Sequence, residues 1–590
     1  MKTKLLLLIL LLGALFQSNA QNVLPEMKPR PADYQYLSAP DSLGIRQPLK
    51  MPNVTNKSIL TGSIKIPYPI IFIHGLDSDA TTWYETTDFM DTYFNFTFGG
   101  RLDFNLNNDN SNYTSNKLFW SSTGPQGADI AQWNTTLVNG DYYFLNFAVG
   151  SDGSFGPSNL SDINVLSNEA AIAKQGVALT RAIQQVMNIT GRDKVILMGH
   201  SMGGLCAREY LQNPSNWTEP NINHHVAKLI TTGTPHGGYT GANFIATGIN
   251  SSSEAYRDLR TDYSNSNPGV FLSGGTESTA VIGTNFHNND INCNGINNDG
   301  IDIQGLNEKY LPTNTVDFAY IMGNCTNCVL SQGLYLGDGV VRLENANLST
   351  FYTLPNFKNE FIYTASAVFQ IHSDLPEQTY ENMQGLDEPN EYNLAYGVEL
   401  GKIYKGFITV QPVGGYPNDW DDYKFVVQGN GNQILTISNS STNSLGVRVY
   451  NSALQLQGQV YTAPNGISQF SFPLTAGQYF LEINGVPTST SYLNPYTFTL
   501  SSTLSNPDFN PADSLKIYPN PTSSKVFFDN SIADFKEVSI YNFLGQEVTK
   551  TSFTSSIQNQ EIDMTGLSAG VYILKFSNSE ISKSVKVIKE

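Results

Sequence analysis

Charge is scarce in this chain. Asp, Glu, Lys and Arg supply only 14% of its 590 residues, and 33 Lys and Arg face 51 Asp and Glu, a net charge of −18. With no basic stripe to displace counterions, the composition argues against nucleic acid as a partner. Long apolar runs are missing after the start. Leu5 to Phe16 is too short to span a bilayer, follows Lys2 and Lys4, and precedes the small residues Ser18-Asn19-Ala20. Residues 1–20 therefore read as a signal peptide, and no transmembrane helix is expected after its removal. No cysteine stands at the cleavage point, which argues against a lipoprotein.

Cysteine is equally sparse, at four residues. Cys206 falls on the apolar side of a predicted helix and reads as a buried free thiol. Cys293 could pair with Cys325 or Cys328, leaving one over. Alternatively, Cys325 and Cys328 could be half of a zinc site, though no second Cys/His pair completes it.

The length is too great for one core, so three or four domains are expected. Residues 21–64 are Pro-rich and irregular, a lead-in. Between 65 and 395, mostly apolar runs alternate with a helical pattern, as in parallel sheets buried on both faces. The runs are Ile70–Ile73, Tyr142–Phe147, Val195–Met198, Ala227–Thr231, Phe318–Met322 and Phe361–Ala365. Ile172, Leu179, Ile183 and Val186 keep one face of a helix over 167–187. Residues 100–135 and 239–312 read as insertions, the second long enough to be functional, as a lid is. From about residue 400 the pattern turns to short alternating strands, a β-sandwich over 400–503. A linker at 504–514 leads to a second small β unit, 515–590. The fold class expected is α/β, an α/β-hydrolase fold with a mostly parallel sheet flanked by helices, followed by two small all-β sandwich domains.

Gly199-His200-Ser201-Met202-Gly203 follows the run 195–198 and precedes a plausible helix. That is the strand–turn–helix context of a nucleophile elbow, with glycines where a Cβ would clash. A serine hydroxyl needs a histidine base oriented by a carboxylate, in chain order Ser, acid, His. There are seven histidines, so elimination works. His74 and His200 precede Ser201. His224 and His225 lie at the wrong end of a strand. His236 comes too early and His287 sits in an Asn-rich insertion. His372 is left as the base. Asp338, between glycines after the 318–322 strand, is the acid; Asp317 sits at the opposite strand end and Asp374 is too near His372. Backbone N–H groups of Met202 and Leu76 should form the oxyanion hole.

Asp290, Asn292 and Asn294 before Gly295, with Asp299 and Asp302, alternate oxygen-bearing side chains as a calcium loop does. Asn at the third and fifth positions and Ile301 in place of a bidentate Glu depart from that pattern, and a solvated turn is the plainer alternative. These five are the candidate ligands of a structural calcium. The chemistry itself requires no cofactor.

Ile73-His74-Gly75-Leu76, Gly199–Leu205, Gly233-Thr234-Pro235-His236-Gly237-Gly238 and Asp338-Gly339-Val340-Val341 resemble bacterial triacylglycerol lipases and GPI-inositol-deacylase-like esterases. The resemblance implies hydrolysis of acyl esters or lipids by a Ser201–Asp338–His372 triad. An amidase, peptidase or acyltransferase could use the same residues, and a non-catalytic surface adhesin is the alternative without chemistry. Asp419-Trp420-Asp421-Asp422-Tyr423 resembles the pre-peptidase C-terminal sandwich. Ile517-Tyr518-Pro519-Asn520-Pro521 and Gly566–Tyr572 resemble the sorting domain of type IX secretion. That implies the secretion machinery as partner of 515–590 and a secreted or cell-surface protein.

Overall fold

The computed structural model describes residues 64–106, 130–132, 137–150, 167–239, 254–259, 270–276, 302–328, 336–354, 359–409, 419–486, 495–502, 515, 517–528, 535–553, 560–578 and 582–590. They form two compact units, 1–500 and 501–590.

After the two-residue strand β1 (Ile64–Lys65), the first unit builds a sheet from β2 (Ile70–Ile73), β3 (Phe98–Leu106), β4 (Ile130–Gln132), β5 (Tyr142–Asn146), β6 (Val195–His200) and β7 (Val226–Thr232). Past the short pair β8 (Gly275–Thr276) and β9 (Asp302–Ile303), it adds β10 (Asp317–Cys325) and β11 (Asn359–Ala365). The strand order is β11-β10-β7-β6-β2-β5-β3-β4. All neighbours run parallel except β3 and β4. Every residue of β2, β5, β6 and β7 is buried, which is why these strands read as mostly apolar runs.

Helices α1 (Tyr84–Phe94), α2 (Ile172–Thr190) and α3 (Met202–Leu211) flank the sheet. Alternate residues feed the two faces. Ile71, Ile73, Leu197 and Leu229 join α2 and α3 in one core. Ile70, Phe72, Met198 and Ile230 join α1 in another, which runs on without a break into the sandwich. Ser167–Glu169 is a separate 3-10 turn, and α2 starts only at Ile172. The expected insertion at 100–135 is corrected in part. Phe98–Leu106 is a sheet strand, and Leu102, Phe104 and Leu106 alternate into the core.

The sandwich pairs two five-stranded sheets. One takes in β12 (Tyr396–Gly397) beside β14 (Asp419–Val427), and the other includes β13 (Ile403–Gly406). β1 pairs in parallel with β13, so the chain's first described strand serves the sandwich sheet. Lys405 binds the sandwich to α1, its ammonium donating to the Phe94 carbonyl at 2.5 Å. The second unit holds a three-stranded and a four-stranded sheet, both antiparallel, around a core including Val526, Phe528, Ile540 and Phe576.

Cys325 and Cys328 form a disulfide with each other, 5.7 Å between Cα atoms. This corrects the expected pairing with Cys293, which lies outside the described residues. It also removes both thiols as zinc ligands. Cys206 is a buried free thiol, as its place on the apolar side of α3 suggests.

Candidate active site

The elbow is built by close approach. Ser201 stands between β6 and α3 at φ +51° and ψ −127°, a conformation L-residues avoid. A Cβ on Gly203 would lie 2.5 Å from the His74 carbonyl oxygen, and one on Gly199 2.5 Å from the Gly203 backbone. Only glycine lets α3 start this close to β2. Ser201 N–H donates to the Thr232 carbonyl at 2.8 Å, which fixes the elbow against the end of β7.

Asp338 is buried, 1% exposed, in the loop after β10. Its Oδ1 accepts from the N–H groups of Val340 and Val341 at 2.8 and 2.7 Å. Its Oδ2 accepts from His372 Nδ1 at 2.6 Å. Gly339 makes this loop possible, since it sits at φ +96° and a Cβ there would be 2.7 Å from Gln370 Cα. Ile371 N–H donates to the Asp338 carbonyl at 2.7 Å, so the two loops are joined by main chain as well as side chain. The His372 ring lies over Gly233, where a Cβ would be 3.2 Å from its Nδ1 and Cε1. Ser201 thus meets Thr232 and His372 meets Gly233, adjacent residues at the end of β7.

Met202 is the first residue of α3 and Leu76 lies just past β2. Among the described residues, neither N–H is given to a protein acceptor. Orphaned amides beside a candidate nucleophile, one at a helix N-terminus, suit a developing oxyanion. Leu76 and Met202 also belong to an apolar cluster with Tyr239, Leu259, Phe271, Leu272 and Leu306 of the 239–312 insertion.

Elimination by chain order passed over the structural roles of two histidines. His74 Nδ1 donates to the Gly75 carbonyl at 2.8 Å, while its Nε2 accepts from Phe147 N–H at 2.9 Å. Burial holds its pKa down, so the ring stays neutral and keeps both bonds. His200 Nε2 lies 3.0 Å from the His372 carbonyl. The signal was in the sequence: both rings close a buried apolar strand, where an imidazole must find partners. His236 is also fully buried, with Arg208 on its Nδ1 at 3.2 Å.

Of the expected calcium ligands, Asp290, Asn292, Asn294 and Asp299 lie outside the described residues. Asp302 is exposed on β9. Carboxylates gather elsewhere, at the start of the sandwich. Asp387, Glu388 and Asp421 are buried and bring one oxygen each within 4.8 Å of one another. Burial, with repulsion from Asp419 added to it, pushes all three pKa values up. An all-oxygen donor set suits a hard divalent cation, but the set is no part of the arrangement around Ser201.

Residues 103–271 match the family model of the alpha/beta hydrolase fold. The first unit has the α/β-hydrolase fold. Residues 516–590 match the secretion system C-terminal sorting domain, which marks the protein for type IX secretion to the cell surface or beyond. A comparison with curated proteins found no match. Among solved structures, an extracellular α/β-hydrolase from a Paenibacillus species is 10% identical, covering 54% of this chain and 99% of that one at a TM-score of 0.24. A lipase-esterase related protein from Clostridium acetobutylicum is 11% identical, covering 53% and 91% at 0.23. The pre-peptidase C-terminal domain of a Bacillus anthracis collagenase is 18% identical, covering 20% and 99% at 0.15. Among the described residues, no helix is long and apolar enough to cross a membrane.

Proposed function

We propose that this hydrolase domain cleaves carboxylic esters of apolar acyl groups through an acyl-enzyme on Ser201. The observation that carries the reading is the His372–Asp338 pair at 2.6 Å, set at the strand end that also holds the serine elbow. With Nδ1–H given to Asp338, Nε2 of His372 is the nitrogen left to take a proton. Ser201 Oγ attacks the ester carbonyl as His372 removes its proton. The oxyanion gathers the N–H groups of Met202 and Leu76. The imidazolium then protonates the leaving alcohol, and a water deprotonated by His372 releases the acid.

The acyl preference rests on the apolar cluster around Leu76 and Met202, which the insertion supplies in large part. No metal or cofactor enters these steps. The test is Ser201→Ala in the full chain with matched p-nitrophenyl esters and anilides. Ester turnover should vanish while the circular-dichroism spectrum stays unchanged, and wild-type anilide turnover should be far slower. Undiminished ester hydrolysis in the variant would refute the assignment, and equal anilide turnover would move the enzyme to the amidases.

A further inference from the structure

His200 is the residue immediately before the nucleophile, yet its side chain reaches the base. The chain separates His200 from His372 by 172 residues. Its Nε2–H donates to the His372 carbonyl at 3.0 Å. The two rings lie 4.9 Å apart, centroid to centroid, and the Trp83 ring stands edge-on to His200 on another side. The N-cap Ile371 gives no side-chain hydrogen bond to the 3-10 turn that follows, which runs His372–Glu377 and opens on His372. The carbonyl of that residue is where the base-bearing segment meets the elbow.

We propose that His200 is a positioning residue that sets where His372 stands relative to Ser201, through its hydrogen bond to the His372 carbonyl. The inference rests on the serine-hydrolase reading above. It adds a third tether to the two already described. Asp338 orients the ring of His372, and the Ile371 N–H bond to the Asp338 carbonyl fixes the acid loop to the base loop. Neither connects the base to the nucleophile. His200 does, because it shares a peptide bond with Ser201.

Two further observations support the role. Nδ1 of His200 is buried and has no partner among the described residues. A Cβ on Gly75 would lie 3.3 Å from that nitrogen, so the ring is enclosed on the elbow side as well. With Nδ1 lacking any acceptor, the proton of the neutral ring belongs on Nε2, where the carbonyl waits. Desolvation, with His372 adding to it, holds the His200 pKa well below the ordinary value. The ring therefore stays neutral while His372 cycles between imidazole and imidazolium, and it places no second positive charge beside the base.

The full chain is the test material. His200→Phe keeps a flat ring in the pocket and deletes the donor. His200→Gln keeps an N–H donor of comparable reach. Turnover of p-nitrophenyl butyrate, thermal melting and a crystal structure of H200F are the measurements. A base displaced by about 1 Å costs about 100-fold in rate. H200F should lose about that factor in kcat with KM within about twofold, and H200Q should recover at least about tenfold of it. His372 should be shifted in the H200F crystal. A folded H200F with kcat within about twofold of wild type overturns the proposal, as does H200Q no faster than H200F, or an unmoved His372. Should H200F fail to fold, His200→Asn replaces it, with a donor too short to reach; H200Q should then exceed it about tenfold, and equality overturns the role. Failure of the hydrolase reading shows itself separately, as a wild type that neither turns over esters nor reacts with a fluorophosphonate. In that case the position of His372 in the variant crystal still decides whether His200 holds it.

Discussion

The carboxylate of Asp338 is divided between two tasks. Oδ1 is fixed by the Val340 and Val341 amides, and Oδ2 alone holds Nδ1–H of His372. Asp338→Asn keeps an oxygen for the two amides and turns an NH2 group toward the imidazole. The ring must then present Nδ1 as acceptor and carry its proton on Nε2, the nitrogen that has to accept from Ser201. Such a tautomer reversal costs about 10⁴-fold in kcat in serine hydrolases. The variant should melt close to wild type, because shape and the loop bonds persist. Steady-state kinetics beside a melting curve measure both, and a loss under about tenfold would remove Asp338 from the role.

How much of this was legible in the sequence depended on burial and on distance along the chain. β2 and β6 were readable because both faces are buried, so Ile70–Ile73 and Val195–Met198 are unbroken apolar runs. β3 was masked by its neighbours: Asn and Asp crowd the stretch, and only the alternation of Leu102, Phe104 and Leu106 marks a strand. Ser201 was legible because the elbow is local. His372 and Asp338 were picked out by elimination among few histidines, and the structure joins them by a hydrogen bond of 2.6 Å. The same elimination discarded His74 and His200, because chain order ranks candidates for one role and says nothing of supporting contacts. The Cys325–Cys328 bond was missed for a related reason. Sequence spacing leaves pairings open, whereas the turn after β10 brings these two Cα atoms to 5.7 Å.

That disulfide lies beside the acid loop. Cys325 N–H donates to the Gly337 carbonyl at 2.6 Å, one residue before Asp338, and both cysteines pack on Ile371, one residue before His372. The closed loop is short, so its loss should cost no more than about 2 kcal/mol of stability. The Cys325→Ser/Cys328→Ser double variant is expected to melt only modestly lower. Its kcat should fall further than that change suggests, with KM little affected, because the two loops carry the proposed acid and base. Unchanged kcat in a folded double variant would show that the main-chain bonds suffice.

Buried carboxylates of the sandwich give stability a pH dependence of known sign. Burial, then Glu482 and Glu391, raise the pKa of Asp422 to about 8. An unfolded Asp titrates near about 3.9. The raised group therefore contributes its full stability below that value and loses it as pH climbs through the folded pKa. Asp422→Asn stays neutral throughout. Measured in chelator, the variant should gain on wild type steadily from pH 5 to about 8 and hold its advantage above that. A gap between the two melting curves that stays flat, or moves toward wild type with rising pH, would contradict the raised pKa.

The last prediction separates address from chemistry. Residues 501–590 form a compact unit with its own core, and the sorting match covers 516–590. Ser201, Asp338 and His372 all belong to the first unit. A chain truncated after residue 502 removes no side chain that contacts them in the hydrogen bonds described above. Expressed in a host with type IX secretion, it should remain cell-associated behind the outer membrane, while the full chain reaches the surface or the medium. Lysates of both should hydrolyse p-nitrophenyl butyrate at equal kcat per mole of protein. Export of the truncated chain would place the address elsewhere. Loss of activity without loss of folding would mean that the tail contributes to the chemistry.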